Sequence, residues 1–417
     1  MNKHTKRFIA SALIYFFIGC SLGLLAVASP DLVYQIRPIH AHINLLGWVS
    51  MMIIGVTYFV IPVFVRKYPY SDRAVTLHLI LANAGIIGMS VSFLVQSDIL
   101  LAISSVLEVA SAYLFLFNII STAIKGAPVK EEVPEGLFLM GDNDKTVDKW
   151  SSSFTQAATF YFVIGCTLGG YVAISPGGWS LFRVHFHITL LGWVAMMIFG
   201  VAYHIFPRFS GNSVRNPSLV KINYRVANTG IILMALALIY AEKGDNALLA
   251  NYATGLAGLI EGAAGLIFVY NILPSVVGAE RAMGKASVRF VLVSLFYFVL
   301  AIIMGVCMTI HPSLAGEIMP VHAHLNVLGW ITMMIFGVGY YMIPEFAGKR
   351  LYSQKLATIH FWIANIGLIG FLCLLPFRDE DTTALITTFA LMEFASAFLF
   401  IFNILKSLTI SKKVQRT

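Results

Sequence analysis

The sequence predicts an all-α, polytopic membrane protein of twelve transmembrane helices, built as three parallel four-helix repeats with pseudo-threefold symmetry. Three observations carry this reading. The 417 residues are 58% hydrophobic and only 12% charged, about half the charged share of a soluble domain. Apolar stretches of twenty residues and more recur along the chain, enough to cross a bilayer. One stretch also returns three times with unchanged spacing. It runs His40-x-His42, Gly47-Trp48, Met51-Met52, Gly55, Tyr58 and Pro62, then from His185-x-His187 to Pro207, then from His322-x-His324 to Pro344.

Taken in order, the spans are expected at about 8–28, 40–63, 75–97, 98–123, 153–174, 184–207, 222–241, 245–272, 288–310, 321–344, 354–375 and 382–406. The first follows the basic segment Met1–Arg7 and is long enough to span, so it reads as a helix and not as a cleaved leader. Lys and Arg gather on alternate connections: Lys3, Lys6 and Arg7; Arg66, Lys67 and Arg73; Arg208 and Arg215; Arg281 and Lys285; Lys349 and Arg350; Lys412, Lys413 and Arg416. The positive-inside rule then puts both termini in the cytoplasm, in a membrane of the bacterial inner (cytoplasmic) type. It places the His-x-His pairs at the outer ends of their helices and the closing prolines at the inner ends. The net charge of +8 follows from those loops and needs no nucleic acid as partner. Cys20, Cys166, Cys307 and Cys373 fall in apolar runs without CxxC spacing, as expected of buried thiols.

The repeat is larger than one helix. A single membrane domain, 1–417, divides into units 1–124, 151–273 and 287–409, with 125–150 as a cytoplasmic linker. The first span of each unit ends at Ser29-Pro30, Ser175-Pro176 or His311-Pro312. The third carries His78 and Asn83-x-Gly85, then Asn223 and Asn228-x-Gly230, then His360 and Asn365-x-Gly367. The fourth carries Glu108 with Asn118, Glu261 with Asn271, and Glu393 with Asn403.

Residues two apart on a helix point about 200° apart. The two histidines of each pair therefore face opposite flanks and cannot share one small ion. The residues alone leave three readings open: histidines hydrogen-bonded between helices, one metal ion held by three symmetric histidines, or haem ligation. Arg37 and Arg183, just outside two of the pairs, suit haem propionates or the membrane interface equally. Trp48, Trp193 and Trp330 suit core packing or a porphyrin face. The glycines permit close approach of a helix or a porphyrin. Glu108, Glu261 and Glu393 fall near mid-membrane, where a carboxyl is protonated or partnered; each is a candidate proton relay or an interhelical clamp. Asn118, Asn271 and Asn403 read as helix-end anchors, and His78 and His360 as structural.

The three four-helix arcs resemble subunit I of the haem-copper oxidase superfamily, which includes cytochrome oxidases and nitric oxide reductases. His322-Ala-His324 with Gly337, Tyr340 and Pro344 is similar to that family's tenth helix. The resemblance implies a high-spin haem on His322 and a low-spin haem on His324, with His40 or His42 opposite the latter. This chain departs from the family where copper is held: the seventh span, 222–241, has no histidine, and the sixth offers His185 and His187 without the usual tyrosine. Carried round the symmetry, the family's direction gives three pockets: His40 with His324, His187 with His322, and His42 with His185.

The resemblance implies an integral-membrane haem protein that carries electrons to, or handles, a small gas (O2 or NO) at haem. Its cofactors would be one to three haems, of b-type, with copper at an incomplete site. A cytochrome c, a cupredoxin or a quinol would be the electron donor, and a small companion membrane subunit a further partner in the lipid bilayer. As an enzyme it would be an oxidoreductase of the haem-copper oxidase type. The alternatives are a haem-based NO-handling or sensor protein without turnover, and a proton-coupled twelve-helix transporter.

Overall fold

The computed structural model describes residues 1–128, 144–244 and 246–409. Much of the expected linker, and the basic tail with Lys412, Lys413 and Arg416, lie outside the described residues. Among the described residues twelve helices are long and apolar enough to cross a membrane. They are α1 (Lys3–Ala28), α2 (Val33–Pro62), α3 (Asp72–Val95), α4 (Asp98–Lys125), α5 (Lys145–Ile174), α6 (Gly178–Ser210), α7 (Pro217–Lys243), α8 (Ala247–Gly278), α9 (Lys285–Ile310), α10 (Ser313–Phe346), α11 (Gln354–Phe377) and α12 (Glu380–Thr409). No sheet occurs among them; a lone bridge pairs Lys67 with Pro128.

Polar caps set many of the starts. The side chains of Asn2, Ser71, Ser97, Asn216, Asn246 and Ser353 accept hydrogen bonds from the first turns of α1, α3, α4, α7, α8 and α11. Asp144 caps α5 through the Thr146 N–H at 2.7 Å. Residues 145–150, within the linker expected from sequence, form the first turns of that helix.

The second helix of each unit forms the centre. Within their most apolar windows α2, α6 and α10 are 67%, 67% and 72% buried, against 28–39% for the other nine helices. The outer helices turn large apolar side chains such as Ile14, Leu94, Ile99, Phe160, Leu236 and Phe398 to the surface, as a lipid-facing belt requires.

Each central helix changes pitch directly after its His-x-His pair. The runs Ile43–Ser50, Ile188–Ala195 and Leu325–Thr332 are π-helical. Accordingly Met51, Met196 and Met333 donate to carbonyls five residues back, at Leu46, Leu191 and Leu328. One extra residue in a turn rotates the remainder of the helix by about 100° relative to the histidines. The methionines and the Gly-x-x-Tyr run are thereby aimed independently of the imidazoles.

The three tryptophans are buried in the core, stacked on or tilted against first-helix phenylalanines: Phe16–Trp48 at 4.2 Å, Phe162–Trp193 at 4.6 Å and Phe298–Trp330 at 3.8 Å. They settle the sequence alternatives in favour of core packing. Two also link neighbouring central helices. Trp193 Nε1 donates to Ser50 Oγ at 3.0 Å, and Trp48 Nε1 to Thr332 Oγ1 at 3.2 Å. The matching position in α6 is Ala195, which has no hydroxyl, and Trp330 Nε1 has no partner. Beyond this layer α2, α6 and α10 enclose an apolar cavity of about 100 Å³ lined by Met52, Met197, Met334 and neighbouring apolar side chains.

Candidate functional site: paired histidines between units

The site is built where each central helix meets a first helix. His40 Nδ1 lies 2.9 Å from the Gly19 carbonyl of α1, and His185 Nδ1 lies 2.8 Å from the Gly165 carbonyl of α5. The second histidine of each pair turns back on its own helix. His42, His187 and His324 place Nδ1 at 2.8, 2.8 and 2.7 Å from the carbonyls of Pro38, Arg183 and Pro320. A carbonyl can only accept, so in these five rings Nδ1 carries the proton and Nε2 keeps a free lone pair. That tautomer, fixed by a backbone carbonyl behind the ring, is the arrangement found behind metal-bound imidazoles. His322 also faces a first-helix carbonyl, that of Ala301 in α9, but its Nδ1 does not complete the bond, and its Nε2 lies 3.3 Å from Asn326 Nδ2.

Glycines make the room. A Cβ at Gly23 would meet His40 Cε1 at 2.8 Å, one at Gly169 would meet His185 Cε1 at 2.7 Å, and one at Gly305 would meet His322 Cε1 at 3.2 Å. All three rings lie flush against a neighbouring backbone.

The pairs come together across unit boundaries. His40 of the first unit and His324 of the third have ring centroids 6.4 Å apart, with planes inclined at 35°. Phe371 packs edge-on against His324 at 5.2 Å. His185 lies within electrostatic reach of His42, and His322 within reach of His187. All six rings are half-buried in crevices.

Iron lies about 2.0 Å from an imidazole nitrogen, which is itself about 1.2 Å from its ring centre. Two imidazoles on opposite faces of one iron therefore have centroids about 6.4 Å apart. The His40–His324 separation fits a haem between them. The 35° inclination is compatible, since each ring can turn about its own iron–nitrogen axis. Copper of the oxidase type needs three converging histidines, whereas among the described residues no group of three or more His, Cys, Asp or Glu converges. The donor set fits haem and does not fit that copper site.

The remaining expected residues serve other contacts. Arg183 Nη1 is 4.0 Å from Glu242 Oε1 of α7, and Arg37 is exposed. Asn118, Asn271 and Asn403 accept from the backbone N–H of Ser71, Asn216 and Ser353 at 3.3, 2.8 and 3.1 Å, tying each fourth helix to the start of the third. His78 and His360 are buried at the proline end, bonded to Tyr58 and Tyr340 hydroxyls at 2.9 and 2.7 Å. Cys20, Cys166 and Cys307 are half-buried and Cys373 is exposed on α11, contrary to the expectation of four buried thiols, because an apolar run does not reveal which face a residue takes.

The carboxyls occupy a constellation that the sequence reveals only in part. Glu108, Glu261 and Glu393 rest over Gly85, Gly230 and Gly367, where an added Cβ would lie 2.5, 2.5 and 2.7 Å from Oε1. Beside them Tyr15, Tyr161 and Tyr297 donate to Asn83, Asn228 and Asn365 at 2.9, 3.0 and 2.8 Å. Those tyrosine rings lie against Gly47, Gly192 and Gly329. The glycine of each Gly-Trp pair thus makes space for a tyrosine and not for a porphyrin. The tyrosines repeat as faithfully as the histidines, but aromatics are so common in these spans that the signal did not stand out.

Twelve membrane helices with paired histidines between their arcs define the fold class of subunit I of the haem-copper oxidases. A solved structure of a haem-copper terminal oxidase dimer is similar over 99% of this chain and 85% of its own, with a TM-score of 0.75 at 12% identity. The family model described as "Cytochrome C and Quinol oxidase polypeptide I" matches residues 98–242 and 248–377, more than half of the chain. The chain belongs to that family. A cytochrome c oxidase subunit 1 homolog from Agrobacterium tumefaciens (strain T37) is 45% identical over 49 residues, 12% of this chain and 9% of the relative. Cytochrome c oxidase subunit 1 from Rhodobacter capsulatus matches to the same extent, and a cbb3-type cytochrome c oxidase subunit from Stutzerimonas stutzeri is 37% identical over 49 residues, 12% of this chain and 10% of its own. The matched stretch thus spans about a tenth of these curated relatives. Membership implies haem as the cofactor class.

Proposed function

We propose that this protein is an electron-transferring membrane haem protein whose low-spin haem is held by His40 and His324. The observation that supports this most directly is the 6.4 Å separation of those rings, each fixed with Nε2 free by a carbonyl at 2.9 or 2.7 Å. Bound there, haem supplies one-electron redox chemistry. The chain's own residues hold the imidazoles in register, exclude lipid with Phe371 and Val27, and keep the ligand tautomer fixed. His40 and His324 belong to different units, so ligation ties the first arc to the third.

By the positive-inside rule the crevice opens to the outer face of a bacterial-type membrane, with both termini cytoplasmic. A cytochrome c, a cupredoxin or a quinol would deliver electrons at that face, with a small companion subunit as a further partner. The gas step, on O2 or NO, falls to the crevice of His322, the histidine to which the oxidase resemblance gives the high-spin haem. Purified protein should show a Soret band and a reduced-minus-oxidised α band of b-type haem, and His324→Ala should lose the low-spin component. A folded, haem-free preparation would overturn the reading. Consumption of O2 or NO with a reductant separates an enzyme from a haem sensor. A colourless protein that moves protons with a solute would instead support the transporter.

A further inference from the structure

We propose that the crevice between the first and second units is a separate bis-histidine haem site, with His42 on one wall and His185 on the other. The inference rests on the reading that paired histidines here hold haem, and extends it to a pair that the oxidase resemblance leaves without a role.

Three observations point to a ligand there. Both rings are held in the ligating tautomer, His42 by the Pro38 carbonyl and His185 by the Gly165 carbonyl, each at 2.8 Å. In His42 the anchor is the carbonyl four residues back, as in His324; in His185 it is a first-helix carbonyl, as in His40. The crevice therefore pairs the same two kinds of histidine as His40 with His324, one unit further along: a first histidine of one arc and a second histidine of the arc before. The two rings lie within electrostatic reach of one another.

The walls match a flat apolar guest as well. Phe93 of α3 packs against His42 with centroids 5.3 Å apart, where Phe371 of α11 packs against His324. Gly169 leaves the His185 ring flush with α5, as Gly23 does for His40 and α1. In both rings Nδ1 is the anchored nitrogen, which leaves Nε2 for a ligand.

With the haem that the gas step places on His322 counted as well, the full chain carries three haems, one at each boundary between units. The experiment measures haem per chain by the pyridine haemochrome method on detergent-purified protein, alongside its reduced spectrum. We expect three haems in the native protein, two in His42→Ala and two in His185→Ala, with the low-spin signal of the His40–His324 haem intact in both variants. His185→Met retains a ligand and guards against misfolding. It should keep three haems while raising the midpoint potential of one, since methionine–histidine ligation raises the potential of haem iron. If native protein binds one or two haems and the His42 and His185 variants keep that number and all midpoints, this proposal is overturned while the His40–His324 site stands. If native folded protein binds none, both fall.

Discussion

Gly23→Ala tests the haem-ligating role of His40 through a residue that would touch no haem. The new Cβ would lie 2.8 Å from His40 Cε1, about 0.6 Å inside ordinary contact. Neither neighbour yields freely, because the ring is anchored at 2.9 Å to the Gly19 carbonyl of the same helix. The imidazole must tilt or α1 must retreat from α2. Metal–ligand distances tolerate about 0.2 Å, so a displacement of this size breaks or lengthens the bond to iron. Overpacking of this kind costs about 1–3 kcal/mol, against the about 1 kcal/mol that alanine gains over glycine inside a helix. Gly305→Ala is the internal control: its Cβ would stand 3.2 Å from His322 Cε1, a shortfall of about 0.2 Å. Haem content and the low-spin spectrum of the two purified variants provide the assay. Gly23→Ala should lose most of one low-spin haem, while Gly305→Ala should stay close to the native protein. Equal spectra for Gly23→Ala and the native protein, or a larger loss in Gly305→Ala, would refute steric control of the ligand by the first helix.

The packing carries two more expected outcomes. Ala195→Ser should give the orphaned Trp330 N–H an acceptor and stabilise the protein by about 1 kcal/mol; thermal unfolding should show the gain, and a Trp330→Phe background should abolish it, whereas a gain that survives there means the serine acts elsewhere. Glu108→Gln keeps the shape that fills the Gly85 notch and should cost under about 1 kcal/mol, whereas Gly85→Ala, with its Cβ 2.5 Å from the carboxyl oxygen, should cost about 1–3 kcal/mol; should Glu108→Gln abolish turnover in a protein of native stability, the carboxyl is a proton relay and not a clamp.

The helix count and the equivalence of α2, α6 and α10 were legible because apolar run length and a spaced repeat survive any change of neighbours. The histidine directions were legible for the same reason, since a two-residue offset on a helix fixes the angle. The π-helical turns were not, because nothing in Gly47-Trp48 or its two counterparts distinguishes an extra residue per turn from a regular one. Tyr15 and its equivalents were missed as well. Their meaning depends on Asn83, 68 residues away, and on Gly47, which joins them only once α1, α2 and α3 are packed. Arg183 illustrates the reverse: its sequence position suited a propionate or the membrane interface equally, and only the packed helices bring Glu242, 59 residues on, to 4.0 Å from it.

The bond from Trp48 to Thr332 spans 284 residues of chain. His40 likewise faces a ring that the ribosome makes long after it. The arcs form a circle whose seam, α1 against α12, can be zipped only when the final helices have entered the bilayer. Until then the first arc has one flank open to lipid, and His40 has a waiting nitrogen with nothing opposite. If His40 and His324 hold haem as proposed, loading at this seam has to wait for the synthesis of the last third of the chain.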